Sequence, residues 1–358
     1  MNNGEFYIGV MSGTSMDGID VALCQIDKKE CMLIDSQEYP FSQALKAHIL
    51  QMISGQTTLE EVGEIDHVLG LEFAAAVNAL IVKSGVAKEK IKAIGLHGQT
   101  LWHAPQGKYP MTIQLGDPNI ITVLIGIPVV ADFRRKDIAL GGQGAPFAPA
   151  FHAFIFNNIK EGVAVVNIGG IANITVLGEK LIGYDTGPGN VLMDMWASEY
   201  LNRAYDENGT WARSGKVLYR LLDCMLEDDY FKRSYPKSTG REKFNRSWLD
   251  VYLSDGNYKP EDIQRTLIEL TALSIANEVL RFQRDVTVLC GGGAKNVFLV
   301  ERIKVLIPNI EVVIAQNGDM LEAMMMAWLA YKRIHNEHVD LKNVTGATRN
   351  AILGGIYA

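Results

Sequence analysis

The sequence has few cysteines, little net charge and no long apolar run. The four cysteines are Cys24, Cys31, Cys224 and Cys290. They form no Cys-x-x-Cys pair, so we expect a reducing compartment and no zinc site. A net charge of −7 over 358 residues opposes general attraction to nucleic acid or to an anionic membrane.

Two further observations concern membranes and targeting. The longest apolar run, 120–131, is too short to cross a bilayer. The N-terminus does not show a basic segment followed by an apolar one, which a signal peptide requires. We therefore expect a cytoplasmic protein whose partners are small molecules, with no nucleic acid and no membrane among them.

Several common catalytic motifs are also missing. No Gly-x-x-x-x-Gly-Lys-Ser/Thr occurs, which excludes a P-loop enzyme, and no Gly-x-Gly-x-x-Gly follows a predicted strand. There is no His-Glu-x-x-His and no Gly-x-Ser-x-Gly. What the chain does contain is a set of glycine-rich turns at the ends of predicted strands.

The first such turn lies near the N-terminus, where apolar runs at 7–11 and 19–23 flank a short polar segment. This pattern predicts two strands joined by a tight loop. Its candidate nucleotide ligands are Ser12, Gly13, Thr14, Ser15, Met16, Asp17 and Gly18. Backbone N–H groups and hydroxyls suit phosphate oxygens, and the carboxylate of Asp17 suits the accompanying metal. An ordinary hairpin turn explains the composition equally well.

The second half of the chain repeats this outline. Residues 162–177 again form an apolar run, a glycine-rich turn and an apolar run, with Gly169, Gly170 and Asn173 as candidate phosphate ligands. Two similar hairpins half a chain apart suggest a duplicated α/β domain. We predict an N-terminal lobe over 1–140 and a C-terminal lobe over 141–358.

Polar residues follow other predicted strands. His97 comes directly after the strand 91–96, and Asp132 and Arg134 come after the apolar run 120–130. Open α/β sheets place ligands at such strand ends. A structural histidine and a solvated surface turn are the alternatives. The loop 183–190, between a short strand at 180–182 and a helix from Val191, brings Asp185 and Thr186 near a helix N-terminus, although its composition also suits a plain turn.

The last third of the chain carries another glycine-rich turn. The strand 286–290 runs into Gly291, Gly292 and Gly293 before a helix at 297–306. A flat ligand can lie against such bare backbone. We predict an amphipathic helix over 261–282 and interpret the polar segment 202–259 as helices with long loops, forming a lid or an insertion.

Together these turns predict a nucleotide held between two lobes. The fold class that fits is α/β, with the two-lobed actin-like ATPase and sugar-kinase (ASKHA) fold, duplicated domains and a central interlobe cleft. One hairpin from each lobe would hold the phosphates, and the triple glycine would hold the adenosine.

Motifs along almost the whole chain resemble those of the anhydro-N-acetylmuramic acid kinase family. The first is Gly9-Val-Met-Ser-Gly-Thr-Ser-Met-Asp-Gly-Ile-Asp20. The others are His97-Gly-Gln-Thr100, Asp132-Phe-Arg134, Asn167-Ile-Gly-Gly-Ile-Ala-Asn173, Asp185-Thr-Gly-Pro-Gly-Asn190, Pro236-Lys-Ser-Thr-Gly-Arg-Glu242 and Gly291-Gly-Gly-Ala-Lys-Asn296.

The resemblance implies a homodimeric kinase that acts in recycling of the bacterial cell wall. Water opens the 1,6-anhydro ring of anhydro-N-acetylmuramic acid, and O6 is phosphorylated from ATP with Mg²⁺, giving N-acetylmuramic acid 6-phosphate. By resemblance the base that activates the water is Asp185. His97, Asp132, Arg134, Thr186 and Gly187 are then expected to contact the sugar.

Two alternatives remain at this point. One is a phosphotransferase of the same fold for another sugar. The other is an actin-like or chaperone-like nucleotide switch, but the chain ends soon after its third glycine-rich turn, without a peptide-binding extension. Fold alone does not separate these functions.

Overall fold

The chain forms two compact units in a computed structural model. The structure describes residues 4–13, 18–55, 57–156, 162–254 and 256–358. Unit 1 comprises Met1–Ile155 and Met320–Ala358, and unit 2 comprises Phe156–Asp319. The predicted ligands Thr14, Ser15, Met16 and Asp17 lie outside the described residues.

The strands are β1 (Glu5–Met11), β2 (Gly18–Ile26), β3 (Cys31–Pro40), β4 (Ile91–Leu96), β5 (Gln99–Ala104), β6 (Met111–Leu115), β7 (Val129–Ala131), β8 (Val163–Ile168), β9 (Ile171–Val176), β10 (Ile182–Pro188), β11 (Val286–Cys290), β12 (Glu311–Ile314) and β13 (Gly355–Tyr357). The helices are α1 (Gln43–Ile53), α2 (Leu59–Ser84), α3 (Pro118–Ile125), α4 (Phe133–Ala139), α5 (Ala148–Ile155), α6 (Val191–Leu201), α7 (Thr210–Ser214), α8 (Tyr219–Leu226), α9 (Asp229–Lys232), α10 (Arg246–Leu253), α11 (Pro260–Arg281), α12 (Val297–Leu306), α13 (Leu321–Ile334) and α14 (Lys342–Thr345). Short 3₁₀ turns lie at Lys88–Lys90, Glu207–Gly209, Gly292–Lys295 and Gly318–Met320.

The main sheets of the two units share one topology. Unit 1 has the order β3-β2-β1-β4-β7, extended by β13, and unit 2 has the order β10-β9-β8-β11-β12. In both, the first three strands form an antiparallel meander, and the last two run parallel to the first. Two copies of this arrangement confirm the predicted duplication and the actin-like fold class.

Local signals explain where the long helix of unit 1 begins and ends. At the start of α2, Thr58 and Glu61 form a capping box, which satisfies two free N–H groups of the first turn. Gly85 ends the helix in the left-handed conformation, with φ of 65°. By length and composition α2 could span a membrane, but it packs on β2, β3, β6 and α3, and it buries Leu69, Phe73 and Val77. It is therefore a core helix of unit 1.

Helix α13 returns the chain to unit 1. It packs on β1, β2 and β4, where Gly9 and Gly95 are cross-strand partners. A Cβ on Gly9 would overlap the carbonyl oxygen of Ala323, and one on Gly95 would overlap that of Met326. Only glycine lets the helix backbone approach the sheet so closely. The division of the chain therefore differs from the predicted lobes 1–140 and 141–358: α13 returns the residues from Met320 onward to unit 1, and α5, which packs on α13, also belongs to unit 1.

The polar segment 202–259 contributes to the core of unit 2. Its helices α7 to α10 bury Ala212, Leu222, Met225 and Leu249 against the same cluster as the sheet. The segment thus forms helices joined by loops, as predicted, and shares the core of unit 2. Its role as a lid or an insertion stays a prediction.

Two local predictions also need correction. Helix α11 is not amphipathic: it lies inside unit 2 and buries even Gln264, Glu269 and Glu278. The predicted loop 183–190 is largely strand β10, which pairs with β9 from Ile182 to Pro188 around an irregularity between Asp185 and Gly187. Cross-strand pairing outweighs the turn-forming composition there.

Candidate active site

In unit 1 the end of β1 meets the His97 motif. The His97 backbone N–H donates to Val10 O at 3.0 Å, and the Ser12 hydroxyl donates to Gln99 Oε1 at 2.6 Å. The structure thus places Ser12, His97 and Gln99 together at one end of the sheet. Gly13 is the last described residue before the gap, and Gly18 opens β2, where a Cβ would lie 2.8 Å from Tyr39 O.

His97 and Arg134 form a buried pair. Nε and Nη2 of Arg134 lie 3.2 and 2.7 Å from Nε2 of His97. Because a guanidinium only donates, Nε2 accepts, and Nδ1 carries the proton that it donates to Gly98 O at 2.6 Å. Burial, followed by the positive charge of Arg134, lowers the pKa of His97 to about 3. The imidazole is therefore neutral at physiological pH.

A second set of hydrogen bonds, which does not involve His97, holds Arg134 in place. Its Nη1 donates to Gly144 O at 2.6 Å, and Gly144 N–H donates to the buried Asp137 at 2.7 Å. Thr345 Oγ1 donates to the second oxygen of Asp137 at 2.8 Å. These contacts and those with His97 use three of the five N–H hydrogens of Arg134. The other two hydrogens have no hydrogen-bond partner in the part of the chain that the structure describes, so they can bind a ligand.

Asp132 lies beside this group in an uncommon conformation. It precedes α4 with φ of 60° and ψ of 50°, a left-handed geometry that non-glycine residues seldom adopt outside special sites. Its carboxylate is 3.5 Å from Arg135 Nε. Burial raises its pKa, against the lowering effect of Arg135.

In unit 2 the turn 169–170 packs against the N-terminus of α6. Asn190 N–H donates to Gly169 O at 2.8 Å, and Gly189 N–H donates to Gly170 O at 2.9 Å. A Cβ on Gly189 would overlap Gly169 O. Glycine is thus required at Gly189 to fix the predicted phosphate turn.

A row of polar residues crosses the sheet below this turn. Asn167 on β8 faces Asn173 on β9, which in turn faces Asp185 on β10. The predicted phosphate ligand Asn173 is therefore the cross-strand neighbour of the predicted base.

Asp185 is largely buried and held at three points. Thr239 N–H donates to Asp185 Oδ2 at 2.9 Å, Tyr230 OH donates to Asp185 O at 2.7 Å, and Asp185 N–H donates to Lys237 O at 3.2 Å. The pKa of Asp185 is raised to about 6, mainly by burial. Bonds from Thr239 N–H and the Ser238 side chain lower it, and the charge of Glu242 raises it further.

Thr186 and Gly187 follow Asp185 on β10 but are turned into unit 2. Thr186 Oγ1 donates to Ala172 O at 3.2 Å, and the residue is 1% exposed. A Cβ on Gly187 would lie 2.8 Å from the Phe231 ring. Any ligand contact of this pair therefore has to come from the backbone.

A cavity of about 460 Å³ lies wholly within unit 2. It is lined by Asn190, Met193, Asp194, Tyr205, Asp206, Glu207, Asn208, Gln264, Gly292, Gly293, Lys295 and Asn296. Both amide atoms of Gln264 are buried without a hydrogen-bond partner among the described residues. An amide offers the donor and acceptor that pair with the edge of adenine, so the cavity fits a nucleoside.

Arg241 lies beside the turn 169–170. A Cβ on Gly170 would be 3.5 Å from both Nε and Nη2 of Arg241, and the side chain is exposed. A guanidinium at this position can contact an anion held by the turn.

The sequence reasoning missed several of these residues. Gln264, Asp137, Ser238, Thr239 and Arg241 received no role, although the last three stand in the quoted motif 236–242. That motif was the available signal. Nothing local marks Gln264 or Asp137, because their roles arise from long-range packing.

The described residues contain no group of three or more His, Cys, Asp or Glu side chains arranged to hold a metal. A nucleotide brings its own metal ligands in its phosphates, and one or two protein carboxylates then suffice. A nucleoside-sized cavity and a buried carboxylate in one half of a duplicated actin-like fold suit a nucleotide-dependent phosphotransferase. The class defined here is the nucleotide-using enzymes of that fold, to which the sugar kinases belong.

Comparison with known proteins gives the family. The family model of anhydro-N-acetylmuramic acid kinase matches residues 5–358. A protein of that name from Sulfurovum sp. (strain NBC37-1) is 63% identical over 357 residues, covering 99% of both chains. One from Sulfurimonas denitrificans is 50% identical over 365 residues, again covering 99% of both. The chain belongs to the anhydro-N-acetylmuramic acid kinase family.

Among solved structures, an activator of 2-hydroxyisocaproyl-CoA dehydratase from Clostridium difficile is similar, with a TM-score of 0.48 and 15% identity. The alignment covers 92% of this chain and 96% of that one. Because the identity is only 15% and the TM-score is below 0.5, this similarity does not support a conclusion about the chain.

Proposed function

We propose that the chain opens the 1,6-anhydro ring of 1,6-anhydro-N-acetylmuramic acid with water and phosphorylates O6 from ATP. The products are N-acetylmuramic acid 6-phosphate and ADP. The observation that carries the proposal is Asp185, a buried carboxylate bonded by Thr239 N–H in the unit that also holds the nucleoside-sized cavity. Family membership supplies the substrate class.

The base must take a proton from water as the water attacks the anomeric carbon. Asp185 can do this only when ionised, and a pKa of about 6 leaves it mostly ionised at pH 7. A raised pKa also makes the carboxylate a stronger base than an exposed aspartate. We therefore expect activity to rise with pH through the pKa of Asp185.

The second half of the reaction needs no separate acid. As the bond to the anomeric carbon breaks on the face opposite the water, O6 develops alkoxide character and attacks the γ-phosphoryl group. The proton taken by Asp185 returns to solvent. Mg²⁺ bound with ATP would spread the charge of the transferred group.

We assign the phosphates and the metal to the segment 12–18, with Asp17 as the metal ligand, and to Gly169, Gly170 and Asn173. Arg241 joins them, because its guanidinium lies beside the turn 169–170. The nucleoside belongs to Gly291, Gly292 and Gly293, with Gln264 facing the base. Support for this last assignment is the cavity lining and the unpartnered Gln264 amide.

The sugar contacts are assigned to unit 1 and to the Asp185 strand. The two remaining N–H hydrogens of Arg134 suit the lactyl carboxylate, and His97 holds Arg134 in place. Asp132 would accept from a sugar hydroxyl, and Thr186 and Gly187 would contribute backbone groups.

A homodimer, a cytoplasmic location and a role in peptidoglycan recycling complete the proposal. ATP and reduced thiols are both typical of the cytoplasm, and within the described residues no disulfide involves Cys24, Cys31, Cys224 or Cys290. The family resemblance is the support for the dimer and the recycling role.

The experiment is an assay with Mg²⁺, ATP and the anhydro sugar in ¹⁸O-labelled water. Wild type, Asp185→Asn and the surface control Asp229→Asn are compared, with ATP binding measured for each. We expect phosphosugar labelled at C1 from wild type and the control, and none from Asp185→Asn although it binds ATP. If wild type forms no product, the substrate assignment is refuted, and a panel of other sugars would be assayed. A fully active Asp185→Asn variant would leave the proposed kinase activity in place but refute the assignment of Asp185 as the base.

A further inference from the structure

A buried ion pair lies next to Asp185 and has no part in the proposed chemistry. Lys237 Nζ is 2.7 Å from Glu278 Oε1, and the two side chains are only 2% and 5% exposed. Glu278 Oε2 accepts from Tyr184 OH at 2.7 Å and lies 3.2 Å from Arg281. A buried pair gains little net stability over apolar side chains of the same size, because both charges lose their hydration. Stability alone therefore does not account for it.

The contacts that hold Asp185 converge on Lys237. The carbonyl of Lys237 accepts from Asp185 N–H, and two residues further along Thr239 N–H binds the carboxylate. The Lys237 ammonium lies 5.0 Å from the centre of the Tyr230 ring, and Tyr230 OH donates to Asp185 O. Backbone and carboxylate of Asp185 are thus held by Lys237 itself and by residues beside it.

On the far side, Glu278 anchors this arrangement to α11. It binds Lys237 with one oxygen and Tyr184, the residue before Asp185, with the other. The segment 236–239 and strand β10 are thereby fastened to the same carboxylate. Movement of either one would change the distance between Thr239 N–H and Asp185.

We propose that Lys237 and Glu278 are a positioning pair, which holds Asp185 in the geometry that a base requires. This rests on the proposed function, in which Asp185 activates water. The charges that shift the pKa of Asp185 do not include Lys237 or Glu278, so we expect the pair to act on Asp185 through the segment 236–239. A shift of the base by about 1 Å can lower a rate by about 10²-fold.

Several titratable groups face this region from the elements packed around Asp185. They are Tyr230 from α9 with Arg233 at its end, Tyr235, Lys237 and Glu242 from the segment 235–242, Tyr184 from β10, and Glu278 and Arg281 from α11. Of these, Glu242 adds a repulsive charge that raises the pKa of Asp185. Loss of the Thr239 N–H bond would raise it further, because that bond favours the ionised form.

The test is the double variant Lys237→Met/Glu278→Gln in the full-length protein. It removes both charges, and the amide oxygen introduced at position 278 can still accept from Tyr184 OH. Its matched control is Arg265→Met/Glu269→Gln, a second mostly buried pair of α11, 2.7 Å apart, which does not contact Asp185. For each variant we would measure kcat, both KM values, nucleotide affinity, Tm and the pH dependence of kcat/KM.

We expect the Lys237/Glu278 variant to lose about 10- to 100-fold in kcat, with nucleotide affinity unchanged. The acidic limb of its kcat/KM–pH profile should move up by about one pH unit, because Asp185 loses a hydrogen bond that stabilises its charged form. The control should keep the wild-type kcat and pH profile even if its Tm falls equally. A purely structural role would lower Tm without moving the acidic limb.

A wild-type kcat and acidic limb in the Lys237/Glu278 variant would overturn the proposal, and so would an equal loss in the control. If the double variant does not fold, the isosteric Glu278→Gln is judged by the same criteria. Asp185→Asn is assayed alongside. If it is active, the base assignment fails and the positioning pair with it; if it is inactive while the Lys237/Glu278 variants behave as wild type, only the positioning pair fails.

Discussion

Nη2 of Arg134 donates to Nε2 of His97 across 2.7 Å in the buried part of unit 1. The histidine is the acceptor, and its Nε2 faces the arginine. We therefore propose that His97 acts on a ligand through Arg134 by orienting the guanidinium, and that the remaining N–H groups of Arg134 contact the anionic substrate.

This relationship predicts a specific effect of His97→Ala. We expect the KM for the anhydro sugar to rise about 10- to 100-fold, since a hydrogen bond to a charged group contributes roughly 1.5–3 kcal/mol. The KM for ATP should stay unchanged. Steady-state kinetics with each substrate varied in turn would measure both.

His97→Gln is the matched control, because its amide oxygen can still accept from Arg134. It should keep most of the sugar affinity and the wild-type acidic limb, since the pKa of His97 is about 3 and lies outside the working range. An unchanged sugar KM in His97→Ala would contradict the orienting role.

Asp185→Asn should stabilise the protein at alkaline pH. The folded pKa of about 6 lies above the unfolded value near 4, so the protonated form stabilises the fold below pH 4, and this contribution is lost as pH rises through 6. Asparagine avoids the loss, which amounts to about 2–3 kcal/mol. We expect the Tm of the variant to exceed that of wild type by several degrees at pH 8 and to match it at pH 4.

Asp228→Asn should show the opposite sign. Burial tends to raise the pKa of Asp228, but bonds from Trp248, Lys243 and Tyr230 N–H outweigh it, and the net pKa is lowered. This carboxylate stabilises the fold above its unfolded pKa, so its loss should lower Tm at pH 8. Equal Tm values for wild type and Asp185→Asn at pH 8 would contradict the buried-anion account.

Gly292→Val tests the nucleoside cavity. A Cβ on Gly292 has no neighbour closer than Asn190 Nδ2 at 3.8 Å, so the backbone at this position has room for the first atom of a side chain. It should occupy space that the nucleoside needs and raise the KM for ATP by 10-fold or more, as about 1.4 kcal/mol of lost contact suffices. Calorimetric titration with a non-hydrolysable ATP analogue would measure the loss.

Gly293→Ala is the contrasting variant. Its Cβ would overlap Ile168 and lie 2.8 Å from Asn190 Oδ1, so we expect a lower Tm. If Gly292→Val binds nucleotide as wild type does, the cavity is not the nucleoside site.

Arg241→Ala tests the cation beside the turn 169–170. Removal of a charge that stabilises the transferred phosphoryl group typically costs about 10²- to 10³-fold in kcat. We expect a loss of that order in kcat with a small change in sugar KM. Arg241→Lys should recover part of the activity, because lysine keeps the positive charge but not the planar set of guanidinium donors. Single-turnover kinetics would isolate the chemical step.

Arg246→Ala serves as the control, since Arg246 is nearby in sequence but pairs with Asp250 on the surface at 2.8 Å. It should behave as wild type. A similar kcat in Arg241→Ala and Arg246→Ala would remove Arg241 from the phosphate site.

Local sequence patterns were enough to predict the duplicated hairpins and the glycine-rich turns, and to place Asp185 among the candidate ligands at a strand end; its role as the base came from the family resemblance. Each depends on residues close together in the chain: alternating apolar runs, glycines between them, and a motif of six residues from Asp185 to Asn190. Short-range backbone preferences determine such features, so they can be predicted before any packing is known.

Only the tertiary structure decided which distant residues surround and position these predicted features. Gln264 faces the cavity because α11 is buried within unit 2, α13 joins unit 1 because Gly9 and Gly95 admit its backbone, and Lys237 meets Glu278 across 41 positions of sequence. Each of these depends on which distant segments pack together. Burial and long-range pairing have no local signature, since the same side chains occur equally on solvated surfaces.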